Sequence, residues 1–171
     1  FVRKNKQKDL SKSCVLGFKK ASFTNILVMD GDLQHHPKYI IRLFNVYSKG
    51  NFDIIVGSRD LLQRSKGLSY FRRLFSIVLI KLINYLLGNK TNDPMSGYFI
   101  FRKKIFSQNK KRMFIKGYKI LSDLIYSSQK DIKIGDVPIV FDRRISGKSK
   151  MNFLILLQLL LFILTSFLKK R

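Results

Sequence analysis

Two carboxylates and an amide stand at alternate positions directly after an apolar run. Asp30, Asp32 and Gln34 follow residues 26–29, whose sequence Ile-Leu-Val-Met predicts a buried strand. In extended backbone alternate side chains share one face, so these three would offer hard oxygen ligands suited to Mg2+ or Mn2+. The carboxyl end of a strand is also where open α/β sheets bind ligands. The same residues are equally typical of an Asp-Gly-Asp turn that only ends a strand. These residues alone do not decide between a metal site and a turn.

Two further positions could bind phosphate. Arg59 ends a second predicted buried strand at 53–59, which contains the apolar residues Ile54, Ile55 and Val56. Arg72 and Ser76 are four residues apart in a predicted helix at 69–87, so they share a face and could clamp a phosphate group. The alternative for the second pair is an exposed arginine with an unrelated serine nearby.

The elements that must position these residues alternate between helix and strand. Apolar periodicity predicts helices at 10–21, 37–48, 69–87 and 117–128. Strands are predicted at 26–30, 53–59, 98–101 and 133–141, with Pro138 marking the last as an edge strand. A turn at 92–97 leads into the third strand. This order predicts an α/β fold.

Composition limits the classes of partner. The 171 residues suffice for one core, and a formal charge of +24 favours phosphate-bearing partners such as nucleic acid, anionic lipid or a nucleotide. We expect no nucleic acid, because the basic residues are dispersed and no helix-turn-helix, finger or aromatic RNA-binding signature is present. Cys14 is the only cysteine, which excludes an intrachain disulfide. Phe1 begins the sequence where a strand would already be under way, so we expect a fragment without its N-terminal segment.

The sequence of the C-terminal region predicts a segment that contacts a membrane. Residues 151–168 carry no charge, and their 18 positions approach the roughly 20 that span a bilayer. A helix lying in the interface is the other reading, because four polar residues interrupt the run. Basic residues flank both ends, so the positive-inside rule gives no orientation. We therefore expect a globular domain at 1–150 and a spanning or interfacial helix with a basic tail at 151–171.

In order, these segments resemble the polyprenyl-phosphate (dolichol-phosphate) mannosyltransferase branch of the inverting, family 2 glycosyltransferases. The similarity extends from Arg3 to Lys150 and rests on five segments: residues 28–35, 56–59, 72–76, 93–99 and 141–150. The resemblance implies a GT-A fold, a Rossmann-like three-layer α/β sandwich, here N-terminally incomplete because the family's first strand and base-binding segment are absent. It also implies a catalytic face in the cytoplasm at the membrane surface.

The resemblance implies roles for particular residues. Asp30, Asp32 and Gln34 would hold Mg2+ or Mn2+ on the diphosphate of a nucleotide-sugar donor. Arg59 would face the donor phosphates, and Arg72 with Ser76 would clamp the phosphate of a polyprenyl acceptor. The turn beneath the sugar would contribute Asp93, Ser96 and Gly97, and the closing loop Arg144 and Lys150. Asp32, Arg59 and Arg144 would be the catalytic residues among them.

The implied reaction is inverting transfer of a hexose, mannose from GDP-mannose above all, to polyprenyl phosphate. An acceptor phosphate that is already a dianion needs no general base, and His35 and His36 are interpreted as loop or packing residues. Two alternatives remain open. One is a related transferase that uses a UDP-linked glucose or aminosugar, and the other is a basic, membrane-bound protein without catalysis.

Overall fold

The computed structural model describes residues 9–32, 34–59, 77–78, 81–85, 87–117, 119–128 and 132–140. Within these residues the strands are β1 Asn25–Val28, β2 Ile54–Arg59, β3 Phe99–Arg102 and β4 Ile134–Ile139. The helices are α1 Leu10–Lys20, α2 Tyr39–Lys49, α3 Lys103–Asn109 and α4 Ile120–Ser127. The predicted strands and three of the predicted helices are confirmed, with bounds that differ by up to three residues. The predicted burial of the first strand is wrong, because only Ile26 of β1 is buried among the described residues.

One strand runs against the others in the sheet. The described strands are ordered β1-β3-β2-β4, with β3 antiparallel to both of its neighbours and β2 parallel to β4. The carboxyl ends of β1 and β2 therefore lie at the same edge as the amino end of β3. That topology brings the turn at 92–97, which precedes β3, to the edge where the predicted metal ligands and Arg59 lie.

The central strands are buried on both faces. Ile54, Ile55 and Val56 are all 0% exposed, and alternate residues belong to different cores. Ile54 and Val56 pack with residues of α1, α3 and α4, whereas Ile55 packs with residues of α2. The result is a sheet with helices on both faces, in agreement with the predicted three-layer arrangement.

The structure adds a helix that the sequence patterns did not predict. Helix α3 begins at Lys103, directly after the last residue of β3, and buries only Ile105 and Phe106. Its N-cap residue, Arg102, makes no side-chain capping bond. A helix of seven residues with only two buried positions is too short to show a helical repeat of apolar residues in the sequence.

Parts of two other predictions can be compared with the structure. Residues 77–78, 81–85 and 87 are helical, and Gly88 and Asn89 follow with φ of 75° and 53°, as expected where the helix predicted at 69–87 ends. The predicted membrane helix at 151–171 lies outside the described residues. Among those that are described, no helix is both long and apolar enough to cross a bilayer.

Candidate active site

The carboxyl end of β1 places the first predicted ligands at an accessible position. The strand ends at Val28, and a turn follows at residues 31–32. The backbone N–H of Gln34 donates to Asp32 Oδ1 at 3.2 Å, which fixes the local turn. The side chain of Asp30 is 40% exposed, so its carboxylate is open to a ligand. The two carboxylates thus stand next to a turn and at an open edge of the sheet.

Asp30 is packed against two other segments. A Cβ atom built on Gly97 would overlap the Asp30 carboxylate, so the turn before β3 approaches that group as closely as glycine permits. His35 Nε2 lies 3.6 Å from Asp30 Oδ2, and His35 is 2% exposed. The His35 ring is also 5.2 Å from the ring centroid of Tyr98. The burial and ring contact of His35 agree with its interpretation as a packing residue.

Arg59 and Asp93 form a two-point ion pair. Arg59 Nε and Nη2 donate to Asp93 Oδ2 and Oδ1 at 2.6 and 2.8 Å, and the backbone N–H of Arg59 donates to Oδ2 at 3.3 Å. Asp93 is fully buried, whereas the Arg59 side chain is 25% exposed. Burial opposes the guanidinium charge, but hydrogen bonds and attraction from Asp93, together with attraction from Asp30, raise the pKa of Arg59. The cation is therefore held in one orientation at the same sheet edge as Asp30.

Ser96 holds the turn to the sheet. Its hydroxyl donates to the Gly57 carbonyl at 2.7 Å and accepts from the Tyr98 N–H at 3.1 Å. Ser96 is 2% exposed. These contacts describe a residue that fixes the turn at 92–97 between β2 and β3.

Two polar residues near this site were not singled out in the sequence. Asp136 on β4 accepts from Thr91 Oγ1 at 2.8 Å and from the backbone N–H of Asn92 at 3.1 Å. Burial raises the pKa of Asp136, although these two hydrogen bonds act in the opposite direction. A single charged residue within the β4 sequence Ile-Gly-Asp-Val-Pro-Ile was a signal that could have identified it.

The residues at the end of β1 suit a hard divalent cation. Carboxylate and amide oxygens are the donors that Mg2+ and Mn2+ accept, and Mg2+ is commonly held by one or two carboxylates together with substrate phosphates. Over the described ranges, no three or more His, Cys, Asp or Glu side chains are grouped so that they could hold a metal ion by themselves. A site formed by Asp30, Asp32 and Gln34 would thus depend on oxygen atoms from a ligand.

The structure describes seven of the eleven predicted site residues and brings six of them to one edge of the sheet. Those at the common edge are Asp30, Asp32, Arg59, Asp93, Ser96 and Gly97, and Gln34 follows within the same turn as Asp32. Four predicted residues lie outside the described residues: Arg72, Ser76, Arg144 and Lys150.

Curated proteins of similar sequence are named dolichol-phosphate mannosyltransferase. A dolichol-phosphate mannosyltransferase of Pyrococcus furiosus is 32% identical over 154 residues, covering 88% of this chain and 43% of that protein. The dolichol-phosphate mannosyltransferase of Saccharomyces cerevisiae is 29% identical over 164 residues, covering 93% of this chain and 60% of that protein. The chain thus spans about half the length of the curated relatives it matches.

Solved structures share the fold at low sequence identity. Glucosyl-3-phosphoglycerate synthase from Mycobacterium tuberculosis, in complex with Mn2+, UDP-glucose and phosphoglyceric acid, superposes with a TM-score of 0.71 at 14% identity. The match covers 94% of this chain and 55% of that one. The predicted GT-A class of α/β fold is confirmed. The model of the family described as Glycosyl transferase family 2 matches residues 1–109. Since this match covers more than half of the sequence, the chain belongs to glycosyl transferase family 2.

Proposed function

We propose that the protein transfers a hexose from a nucleotide sugar to the phosphate of a polyprenyl lipid, with mannose from GDP-mannose as the donor group. One observation carries the proposal: the oxygen ligands after β1 and the oriented Arg59 cation lie at the same edge of the sheet. A nucleoside diphosphate needs both, because its leaving oxygens accumulate negative charge during transfer. The relatives named dolichol-phosphate mannosyltransferase support the lipid phosphate as acceptor.

Different residues of the site would bind the metal, the phosphates and the sugar of the donor. Asp30, Asp32 and Gln34 would hold Mg2+ or Mn2+, which when bound neutralises charge on the leaving diphosphate. Arg59, held by Asp93, would donate hydrogen bonds to the donor phosphates from a fixed position. The turn at 92–97 would support the sugar, since it reaches the same edge of the sheet through Gly97.

Inversion follows from direct displacement. An oxygen of the acceptor phosphate attacks the anomeric carbon, the bond from that carbon to the diphosphate oxygen breaks, and the nucleoside diphosphate leaves with the electron pair. A phosphate dianion carries no proton on the attacking oxygen, so a general base is not required. Arg72, Ser76, Arg144 and Lys150 are proposed, from the family resemblance, to contact the acceptor phosphate and close the site.

We also propose that the reaction takes place at a membrane, with the catalytic face toward the cytoplasm. In this arrangement residues 1–150 form the transferase domain, and residues 151–171 form a spanning or interfacial helix with a basic tail. An uncharged run of 18 residues followed by Lys-Lys-Arg supports this assignment. It would place the acceptor phosphate within reach of the site while the lipid tail stays in the bilayer.

A UDP-linked donor is the second candidate. The observation in its favour is the fold shared with an enzyme solved in complex with UDP-glucose. The described site contacts would serve either donor, because diphosphate and metal are common to GDP-sugars and UDP-sugars.

Transfer of labelled sugar to polyprenyl phosphate tests the proposal. The protein encoded by the complete reading frame is assayed in detergent with Mn2+, using GDP-mannose and UDP-glucose in parallel. We expect a metal-dependent lipid product from GDP-mannose; product from UDP-glucose alone would select the second candidate. Binding of the nucleotide sugar that is independent of metal and strongly sensitive to salt, with no lipid product formed, would indicate a basic binding protein instead.

A matched pair of variants tests the metal ligands. Asp32→Asn removes a carboxylate charge from the site, and we expect transfer to fall by about a hundredfold or more. Asp53→Asn is the control, because Asp53 lies at the opposite end of β2 and accepts from the Lys133 N–H at 3.0 Å, a bond that asparagine can keep. Near-normal transfer by Asp32→Asn would refute the metal assignment.

A further inference from the structure

A chain of hydrogen bonds connects β4 to the Arg59 guanidinium. Asp136 accepts from Thr91 Oγ1 at 2.8 Å, and the same Thr91 oxygen accepts from the Asp93 backbone N–H at 3.3 Å. Asp93 in turn holds Arg59 through Nε and Nη2. Hydrogen bonds thus link four residues from three separate segments one after another. The last of the four is Arg59, the cation at the proposed donor site.

Asp136 holds the Asp93 side of the Arg59–Asp93 pair at two points. Its second oxygen accepts from the Asn92 backbone N–H at 3.1 Å, which anchors the residue before Asp93. Ser58, the residue before Arg59, is also close enough to lower the pKa of the Asp136 carboxyl. The pairing of β2 with β4 brings these groups together, since Val56 is opposite Asp136 and Ser58 is opposite Pro138. One carboxylate therefore anchors the turn at two residues, beside the end of β2.

Burial makes the loss of a hydrogen bond in this network costly. Thr91 is 4% exposed and Asp93 is 0% exposed, so a hydrogen bond lost there is not replaced by water at low cost. A shift of the Asp93 backbone would move its carboxylate, and the two-point contact would carry that shift to the guanidinium. Small displacements of charged groups at a reacting centre cause large losses of rate.

We propose that Asp136 and Thr91 are positioning residues that hold Asp93, and through it Arg59, in the orientation required by the phosphates of the donor. This inference rests on the proposed function, since it assigns Arg59 to those phosphates. Neither residue would touch the substrate. Both act through the ion pair at the end of β2.

Isosteric variants of Thr91 test the proposal. Thr91→Val keeps the shape of the side chain and removes the hydroxyl, whereas Thr91→Ser keeps the hydroxyl. We expect Thr91→Val to lower kcat/KM for sugar transfer by about tenfold and Thr91→Ser to restore most of it. Thr24→Val is the matched control at an exposed threonine beyond the other end of the sheet, and it leaves transfer unchanged. Thr91→Val with wild-type kcat/KM would overturn the proposal.

Coupling to Arg59 separates positioning from general stability. In an Arg59→Lys background, where the two-point contact is already lost, Thr91→Val should change kcat/KM by less than about twofold. Multiplicative losses in the double variant would show that Thr91 acts independently of Arg59, and would contradict the proposal. Asp136→Asn carries the same test if Thr91→Val does not fold, because it keeps one acceptor oxygen and removes the other.

A readout without catalysis distinguishes this inference from the proposed function. Hydrogen exchange of the Arg59 Nε–H, followed by NMR and assigned with Arg59→Lys, reports how firmly Asp93 holds the guanidinium. We expect exchange to accelerate by about tenfold in Thr91→Val and to remain slow in Thr91→Ser. Unchanged exchange in Thr91→Val overturns the positioning role even in an active enzyme. A wild-type protein that transfers no sugar refutes the proposed function, and the exchange rates then decide the positioning role by themselves.

Discussion

Gly97 lies so close to Asp30 that a larger side chain would displace the carboxylate. A Cβ atom on Gly97 would overlap three atoms of that group, and the backbone there belongs to a turn held by Ser96. We expect Gly97→Ala to weaken binding of Mn2+ in the presence of donor nucleotide by about tenfold or more, because the Asp30 carboxylate, which we propose as a metal ligand, moves. Calorimetric titration of Mn2+ measures this change directly.

The control for Gly97→Ala is the same substitution on α1. A Cβ atom on Gly17 meets nothing within 4 Å, so Gly17→Ala should leave Mn2+ binding unchanged. In a helix interior alanine is also favoured over glycine by roughly 1 kcal/mol, so this variant should not lose stability. Wild-type Mn2+ affinity in Gly97→Ala would show that Asp30 is not a ligand.

The types of the site residues were predictable from the sequence, but their contacts were not. Asp30 and Asp32 could be identified because they stand at alternate positions after an apolar strand, although β1 is only partly buried and exposes Leu27. The ion pair of Arg59 with Asp93 joins residues that are 34 positions apart, and it exists because β3 inserts between β1 and β2. No local pattern encodes that insertion, so neither the pair nor its link to Asp136 could be inferred beforehand.

At the scale of elements, Asp9 connects the start of α1 to the loop before α4. Its Oδ1 accepts from the Lys12 N–H at 3.0 Å as an N-cap, and its Oδ2 accepts from the Gly117 N–H at 3.3 Å. We expect Asp9→Ala to lower the free energy of unfolding by about 1–2 kcal/mol, because both backbone donors lose their acceptor. Urea denaturation measures the loss.

The asparagine variant at position 9 divides the two contributions of Asp9. Asp9→Asn keeps an oxygen for the helix cap but presents an amide to Gly117, so we expect about half of the alanine effect. Equal stability of the wild type and Asp9→Ala would contradict the assigned capping role.

Strands and longer helices were predictable because apolar residues recur with a clear period. Within the strand predicted at 53–59, the apolar run Ile54–Val56 lies between polar residues, and β2 occupies 54–59. Helix α3 was missed because its start is set by the end of β3 rather than by a capping side chain. Tertiary packing of Ile105 and Phe106 against the sheet, which no sequence window contains, stabilises it instead.

The stability of the whole molecule includes the cost of a buried ammonium group. Lys119 is the N-cap of α4 and is 6% exposed. Burial lowers its pKa to about 8, although attraction from Asp123 and Asp9 opposes this change. Asp123 is fully buried and accepts from the N–H groups of Phe114 and Ile115, yet burial still raises its pKa. In a chain of net charge +24, a positive charge in the interior adds to self-repulsion.

These values predict an increase of stability with pH in the alkaline range. The folded protein releases the Lys119 proton near pH 8, whereas the unfolded chain keeps it up to about pH 10.5, so the unfolded state binds more protons between those values. We expect the free energy of unfolding of the wild type, relative to Lys119→Met, to rise by about 1–2 kcal/mol from pH 8 to pH 10. Urea denaturation at several pH values measures it. Lys49→Met, at an exposed position on α2, should keep the pH dependence of the wild type. A difference between wild type and Lys119→Met that stays constant or falls over this range would contradict the burial of the charged lysine.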